Sequence, residues 1–214
     1  MKHHALRRQI IATARSFMPL GLGVGTAGNV SSRVRGGFLV TPSGVGYDGM
    51  RPANLVFMSQ SGTVRAGALK PSSEWRFHRD IYAARPEVNA IVHVHSPFAT
   101  AISCTRKGIP AFHYMVAAAG GDSIRCAPYA TFGTQALSSR AVRALRQRRA
   151  CLLANHGQIA LGDDLSFALE IALEVEELAK QYWLATVFAK PVALDKREMR
   201  KIVAKFREYR RQGG

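Results

Sequence analysis

Short apolar runs that alternate with amphipathic helical segments are the feature that most limits how this chain can fold. The helical segments carry apolar residues every three or four positions, whereas the runs between them are short enough for strands. Strands of this kind bury their faces only when helices or a second sheet cover them. No internal linker is long or polar enough to divide the chain. The sequence therefore predicts one α/β domain over residues 1–214, with a central sheet flanked by helices. The predicted strands are 29–34, 38–44, 54–59, 89–95, 150–155 and 158–162.

The predicted helices begin and end at recognisable signals. Pro71 with Ser72 and Ser73 marks a start, and Asp163 or Asp164 is expected to cap a long helix. Residues 59–67 predict a hairpin turn, and residues 109–131 are expected to be irregular. The predicted helices are 2–18, 71–85, 96–108, 134–148, 165–188 and 195–212, with Pro191 before the last.

The strong positive charge is the unusual feature of the composition. The formal net charge is +16, and much of it lies in the helical segments 138–150 and 195–212. Solvated helix faces are the simpler interpretation. Nucleic-acid binding is an alternative that rests on charge alone, since no zinc-finger spacing or RNA-binding signature is present, and we do not expect it. A basic exterior would equally attract phosphorylated metabolites.

The location of the protein is predicted from what the chain contains. No apolar run approaches the roughly 20 residues that span a bilayer, and the first 21 residues lack the continuous apolar core of a signal peptide. The cysteines Cys104, Cys126 and Cys151 are far apart and odd in number. We expect a cytoplasmic protein with no membrane partner, in which these thiols are reduced and act as small core residues.

The stretch "IVHVHS" places His93 and His95 one residue apart in a predicted strand. Alternate side chains of a strand share one face, so the two imidazoles point the same way with α-carbons about 6.5–7 Å apart. That spacing suits a shared metal ion. On its own the pattern favours two core residues.

Two other residues favour the metal site. His156 precedes Gly157 at the end of a predicted strand, where a turn can aim it into a cleft, and Glu74 lies at the start of a helix. Three imidazoles and a carboxylate suit zinc, or another divalent ion such as cobalt or manganese, and are typical of catalytic sites. The contexts of His78 and His113 indicate no convergence, so both are interpreted as ordinary polar residues.

Three segments combine glycine or a helix start with small hydroxyl and amide side chains: residues 25–31, 41–44 and 71–74. Backbone N–H groups in such segments can hold a phosphate. Each alone is more typical of a tight turn. The first also lacks the glycine spacing of dinucleotide-binding loops and the lysine of a P-loop. Their coincidence with the histidines favours a phosphorylated ligand.

Six stretches resemble the class II aldolase/adducin superfamily: "GTAGNVSSR", "LVTPSGVGYDGM", "PSSEWRFH", "VHVHSPFATAIS", "IPAFHYMVAAAGGDSIRCAPYATFGT" and "LLANHGQIALG". They occur in the expected order from about Leu6 to the last helix. The resemblance implies a mostly antiparallel sheet between helix layers. It also implies a homotetramer of fourfold symmetry with active sites at the interfaces.

The resemblance assigns roles to individual residues. His93, His95 and His156 would bind one zinc ion per subunit, with Glu74 as a fourth ligand that becomes the acid/base when substrate displaces it. Tyr114 would reach in from a neighbouring subunit and handle the proton at the aldehyde oxygen. The substrate phosphate would contact Gly28, Asn29, Ser43, Gly44, Ser72 and Ser73, and Phe132 and Tyr209 would line the aldehyde pocket.

The implied reaction is zinc-dependent retro-aldol cleavage of a ketose 1-phosphate, such as L-fuculose 1-phosphate or a close analogue. The products would be dihydroxyacetone phosphate and an aldehyde such as lactaldehyde. A 5-deoxy-ketose-1-phosphate aldolase, a sugar-phosphate 4-epimerase and a methylthioribulose-1-phosphate dehydratase are alternatives on the same scaffold. Glu74 and Tyr114 favour cleavage over the last two. An adducin-like binding protein is the non-enzymatic alternative, but it would be expected to lose metal ligands that this chain keeps. The chain departs from the family pattern in its charge and at Asn155, before the third histidine.

Overall fold

Eight strands, rather than the six expected, form one sheet in the computed structural model, which describes residues 2–64 and 69–212. The strand order is β3-β2-β1-β4-β8-β7-β6-β5. Neighbouring strands pair antiparallel except β6 and β7, which are parallel. The sheet is therefore mixed but mostly antiparallel, as expected. Its strands are β1 Asn29–Val34, β2 Gly37–Val40, β3 Val56–Ser59, β4 Ala90–Val94, β5 Ile109–Pro110, β6 Ser123–Ala127, β7 Ala150–Leu153 and β8 Gly157–Gly162.

Helices cover both faces of the sheet and complete the predicted three layers. Alternate residues of β4 show this: Val92 packs into a core with α1, α3 and α5, whereas Ile91 packs into a second core with α2 and α4. Both side chains are fully buried, and each contributes roughly 1.5–3 kcal/mol by leaving water. The helices are α1 His4–Arg15, α2 Trp75–Ala84, α3 Pro97–Cys104, α4 Gln135–Ala144, α5 Leu165–Phe188 and α6 Lys196–Gln212, with 3-10 turns at Pro52–Asn54 and Tyr114–Ala119.

The central strand β4 brings the HxH stretch to the middle of the sheet. It pairs with β1 on one side and β8 on the other, and the register places Asn29 opposite His93. The side chain of His93 is completely buried. The glycine–asparagine segment and the histidines, which are about 65 residues apart in sequence, are therefore neighbours.

The prediction for residues 109–131 was wrong, because this segment contains β5, a 3-10 turn and β6. Only Ile124 and Ala127 of β6 are fully buried, with Arg125 between them, so the strand lacks an alternating apolar pattern. Its position is fixed instead by pairing with β7 and β5. Such pairing leaves no local signal in the sequence.

The start of α2 also differs from the prediction. The helix begins at Trp75, and Glu74 rather than a serine stands at the N-cap. The Ser72 hydroxyl oxygen accepts a hydrogen bond from the Glu74 backbone N–H at 3.3 Å, which makes a turn ahead of the helix. By contrast, α5 has the predicted bounds, and Asp164 caps it by accepting from the Phe167 N–H at 2.8 Å.

Several smaller predictions can be compared with the structure. The predicted hairpin turn is present at Gly62, where Met58 and Val64 form an antiparallel bridge, and residues 65–67 lie outside the described residues. All three cysteines are free. The core interpretation holds for the buried Cys151, holds in part for Cys126, which is partly buried against the core, and is wrong for the exposed Cys104. Among the described helices, none is long and apolar enough to cross a membrane.

The basic segment 138–150 is mostly a solvated helix face, with one exception. Arg143 and Arg146 are exposed, whereas Arg148 is buried and its guanidinium pairs with the Asp122 carboxylate. Arg148 also donates to the Ser123 carbonyl at 3.1 Å. It therefore ties the start of β6 to the segment between α4 and β7.

Candidate metal centre and substrate cleft

Four side chains from three parts of the chain converge at the end of β4. Glu74 precedes α2, His93 is the last but one residue of β4, His95 follows that strand, and His156 lies in the turn between β7 and β8. We call these four residues the donor cluster. Each offers one ligand atom, and these atoms all lie within 4.8 Å of one another.

The spacing of the donor cluster fits a metal ion. His93 Nε2 lies 3.1 Å from Glu74 Oε2 and 3.0 Å from His95 Nε2, and His156 Nε2 lies 3.4 Å from Glu74 Oε1. Ligands about 2.05 Å from a tetrahedral ion are roughly 3.3 Å apart. In the part of the chain that the structure describes, buried Glu74 Oε1 has no hydrogen-bond partner. The cluster could therefore hold a divalent ion, which would satisfy that oxygen.

His93 is held in the tautomer that a metal ligand needs. Its Nδ1–H donates to the Gln158 carbonyl at 2.8 Å, so the lone pair of Nε2 faces the cluster. Gln158 is itself fixed, because its amide donates to the Ser96 hydroxyl at 2.8 Å and to the Ala172 carbonyl at 3.0 Å. This second layer of hydrogen bonds orients the ring without any metal.

The electrostatics leave the cluster ready to bind a cation. Burial lowers the pKa of His95 to about 3 and that of His156 to about 4, so both rings are neutral at pH 7. Burial alone would raise the pKa of Glu74, but His93, His156 and Asn29 together lower it to about 2. Glu74 in turn raises the pKa of His93 against the effect of burial. A carboxylate and two neutral imidazoles are the protonation states in which these groups bind metal.

Two glycines make room for the cluster. Gly28 has φ +93°, and a Cβ there would stand 2.5 Å from the His93 carbonyl oxygen. A Cβ on Gly157 would stand 2.5 Å from the Val94 carbonyl oxygen and 3.0 Å from His95 Cδ2. Both sites need the absence of a side chain, since neither neighbouring backbone can move without disturbing β4.

The local backbone accounts for the asparagine at position 155, just before His156. Its φ is +54°, a left-handed conformation that asparagine tolerates better than most residues. Its Oδ1 accepts from Arg106 Nε at 3.0 Å. The turn that presents His156 therefore contains a left-handed residue, and asparagine is one of the few residues that adopt this conformation readily.

The donor cluster lies in a cleft of about 400 Å³. Among its exposed lining residues, Thr26, Ser43 and Ser73 carry hydroxyl groups and Gly44 follows Ser43; we call these four residues the hydroxyl rim. The backbone N–H groups of Ser43 and Ser72 already donate to the Lys70 and Thr41 carbonyls, each at 3.0 Å. The expected backbone cradle is therefore partly used, and side-chain hydroxyls remain the accessible donors.

Most residues predicted for the site line this cleft, and three do not. The predicted residues present are Gly28, Asn29, Ser43, Gly44, Ser72, Ser73, Glu74, His95, Phe132 and His156. His93 lies beneath, in contact with Glu74. Tyr114 and Tyr209 are not among the described lining residues, and both are more than half exposed elsewhere on the chain. The role of Tyr114 in a neighbouring subunit and that of Tyr209 in the aldehyde pocket both stay predictions.

Sequence reasoning missed two contributors. Tyr129 lines the cleft beside Phe132, in a loop that is tied down where Arg76 donates to the Gly133 carbonyl at 2.8 Å. His78, interpreted as an ordinary polar residue, is completely buried and bonded to Asn29, which in turn donates to Glu74. A signal for His78 existed, because positions 74 and 78 are four apart and share one helix face.

Known proteins are similar to this chain in fold and in sequence. Residues 8–183 match the family model of the class II aldolase and adducin N-terminal domain. The chain belongs to this family. It is 52% identical over 96% of its length to a 5-methylthioribulose-1-phosphate/5-deoxyribulose-1-phosphate aldolase of Rhodospirillum rubrum, covering 92% of that protein. It is 47% identical over 98% of its length to the L-fuculose phosphate aldolase of Escherichia coli strain K12, covering 97% of it.

A solved L-fuculose 1-phosphate aldolase superposes with a TM-score of 0.93 at 39% identity, covering 97% of this chain and 98% of the other. Class II aldolases are metal-dependent lyases, and this chain is an enzyme of that class. The adducin-like binding role is thereby set aside. The relatives differ in the sugar phosphate named for them.

Proposed function

We propose that the chain cleaves a ketose 1-phosphate between C3 and C4, giving dihydroxyacetone phosphate and an aldehyde, with one zinc ion held by the donor cluster. The observation that carries this proposal is the convergence of three imidazoles and a carboxylate in a cleft rimmed by small hydroxyl groups. Nitrogen and oxygen ligands in this number suit zinc. When bound, the ion would supply Lewis acidity that stabilises the negative charge developing on the dihydroxyacetone phosphate half.

Glu74 is the proposed acid/base for the proton at C3. In the cluster its carboxylate is ionised, because neighbouring histidines outweigh the effect of burial on its pKa. Burial is nevertheless the largest single influence, and it acts to raise the pKa. A carboxylate that moves away from the imidazoles would therefore become more basic while staying in the cleft.

The hydroxyl rim, together with Gly28, Asn29 and Ser72, is the proposed site of the substrate phosphate. Hydrogen bonds to a charged group are stronger than those between neutral groups, so a few hydroxyls suffice for affinity. The net charge of +16 also favours approach of a dianionic substrate.

Tyr129 and Phe132 suggest what the aldehyde half carries. Both rings line the cleft, and they are 49% and 65% exposed. Aromatic rings at the edge of the cleft suit a deoxy or methylthio end of the substrate better than a free hydroxymethyl group. The relatives named for fuculose, deoxyribulose and methylthioribulose phosphates support this substrate class.

Product analysis by NMR tests the proposal. L-Fuculose 1-phosphate, 5-deoxyribulose 1-phosphate and 5-methylthioribulose 1-phosphate should each be incubated with the protein, with and without chelator. We expect dihydroxyacetone phosphate from at least one, together with lactaldehyde, acetaldehyde or methylthioacetaldehyde respectively, and none with chelator. An epimerised sugar, or a dehydrated one without dihydroxyacetone phosphate, would contradict cleavage and support the 4-epimerase or the dehydratase.

Tyr114 is proposed to serve the cleft of a neighbouring subunit in a fourfold homotetramer. The support is its 51% exposure, away from the cleft of its own chain. Co-assembly of Tyr114→Phe chains with His93→Ala chains should restore activity, because some mixed sites would hold both native residues. If the mixture is as inactive as its parts, Tyr114 does not act across subunits.

A further inference from the structure

A chain of buried hydrogen bonds runs from α2 through β1 to the carboxylate of Glu74. Tyr82 Oη lies 2.8 Å from Ser31 Oγ, which lies 2.7 Å from His78 Nδ1. His78 Nε2 lies 2.5 Å from Asn29 Oδ1, and Asn29 Nδ2 lies 3.0 Å from Glu74 Oε2. All five residues are buried, with Ser31 and His78 fully so.

The direction of each bond follows from the ionised carboxylate of Glu74 and the neutral ring of His78. An ionised carboxylate only accepts, so the Asn29 amide nitrogen donates to Glu74 and its oxygen must accept from His78. The Nε2 atom of His78 therefore carries the proton, and Nδ1 accepts from the Ser31 hydroxyl. Ser31 in turn accepts from Tyr82. His78 is neutral in this arrangement, which agrees with the lowering of its pKa to about 3 by burial.

Asn29 cannot turn its amide over while this order holds. A flipped amide would set its oxygen against the Glu74 carboxylate and its N–H₂ group against the N–H of His78, leaving both contacts repulsive. The β1–β4 register, with Asn29 opposite His93, keeps the backbone of Asn29 fixed as well. The amide is therefore held as a permanent donor to one oxygen of Glu74.

We propose that His78 is a positioning residue: it locks the Asn29 amide as a donor to Glu74 and so fixes the carboxylate for metal binding and proton transfer. The catalytic part of this inference rests on the proposed function, whereas the positioning of a metal ligand does not. His78 touches neither the cleft nor the donor cluster through any described hydrogen bond. It acts through Asn29.

Two substitutions that should destabilise the fold by similar amounts test whether His78 holds the Asn29 amide in place. In His78→Gln the new amide nitrogen stands about where Nε2 was, so it can still donate to Asn29 while the bond to Ser31 is lost. In His78→Asn the amide stands about where Nδ1 was, so the bond to Ser31 can remain while the donor to Asn29 is lost. Each variant loses one buried hydrogen bond, and thermal unfolding of the metal-free proteins should show similar losses.

Metal affinity should separate the two. Titration of the chelated proteins with Co²⁺, followed by its visible absorption, should show about tenfold or greater weakening in His78→Asn and little change in His78→Gln. The rate constant for cleavage should fall in the same order. Equal affinities in the two variants would overturn the proposal, since a merely structural histidine would weaken both alike.

A double-mutant cycle with Glu74→Ala shows whether the effect passes through the carboxylate. In that background His78→Asn should change the Co²⁺ affinity less than about twofold, because the group that it positions is gone. An undiminished effect would show that His78 acts on the histidines and not on Glu74.

The tautomer of His78 can be measured without metal or substrate. ¹⁵N NMR of the metal-free protein should show His78 protonated at Nε2, and protonation at Nδ1 would overturn the lock. If the native protein bound Co²⁺ but cleaved no ketose 1-phosphate, the proposed function would fail while the affinities still decided the lock. If the native protein bound no Co²⁺, the tautomer of His78 alone would decide whether His78 positions Asn29.

Discussion

The donor cluster and the hydroxyl rim are two parts of one cleft, and they are built in opposite ways. The donor cluster is held by buried partners, since Gln158 orients His93 and Asn29 binds Glu74. The hydroxyl rim is exposed, and a Cβ on Gly44 would meet nothing within 4 Å. Groups that hold a metal must be placed before it arrives, whereas hydroxyls that hold a phosphate can be satisfied by water until substrate displaces it. Substitutions should therefore act on chemistry and stability in one part and on substrate affinity in the other.

The largest effect is expected at Glu74. Glu74→Gln removes the proposed acid/base and should lower kcat by about 10²–10⁴-fold. The three imidazoles should still bind metal, which inductively coupled plasma mass spectrometry would measure. Glu170→Gln, on the exposed face of α5, is a control that should leave kcat unchanged. Full activity of Glu74→Gln would remove Glu74 from the mechanism.

Two glycine substitutions compare the parts by stability. Gly28→Ala places a methyl group 2.5 Å from the His93 carbonyl oxygen, and the free energy of unfolding should fall by about 2–4 kcal/mol. Gly44→Ala has a similar positive φ of +72° but open space around it, so about 1 kcal/mol is expected. Chemical denaturation measures both. Equal losses would mean that packing against β4 does not matter at Gly28.

Acid should destabilise the metal-free protein through its buried histidines. Burial lowers the pKa of His78 to about 3 from 6.5, so below pH 6.5 the unfolded state binds more protons than the folded state. Stability from this group is complete above pH 6.5 and is lost as the pH falls towards 3, by about 1.4 kcal/mol per pH unit. His93, whose pKa is raised, affects only the range above its ordinary value. Chemical denaturation between pH 6 and pH 4 measures this loss. The free energy of unfolding should fall less steeply with pH in His78→Gln than in the native protein, and an equal dependence on pH would contradict the assignment.

The smallest effect on the protein itself is expected in the hydroxyl rim. Ser43→Ala should raise KM for the ketose 1-phosphate about 10-fold or more, since a hydrogen bond to a charged phosphate is lost. Metal content and the free energy of unfolding should not change, because Ser43 is exposed. Ser139→Ala, exposed on α4, is the matched control. An unchanged KM would exclude the Ser43 hydroxyl from phosphate binding.

The contrast also explains how much could be predicted from sequence. The pairing of His93 with His95 could be predicted, because strand alternation places both side chains on one face. The positions of β6 and Tyr129 could not be predicted, since long-range strand pairing and a folded-back loop determine them. His78 was missed because its partners Asn29 and Ser31 come from β1, more than 40 residues earlier in the chain. Local periodicity predicts faces and elements, but partners from distant segments require the tertiary structure.

Metal titration of the chelated protein tests the central claim most directly. Release of dihydroxyacetone phosphate from the preferred ketose 1-phosphate should be absent at first, and should rise linearly with added Zn²⁺. The account predicts a plateau at about one ion per chain for the four ligands of the donor cluster. The same titration of His93→Ala should give no activity at one equivalent. Activity that survives complete removal of metal, or that returns in His93→Ala as in the native chain, would contradict the account.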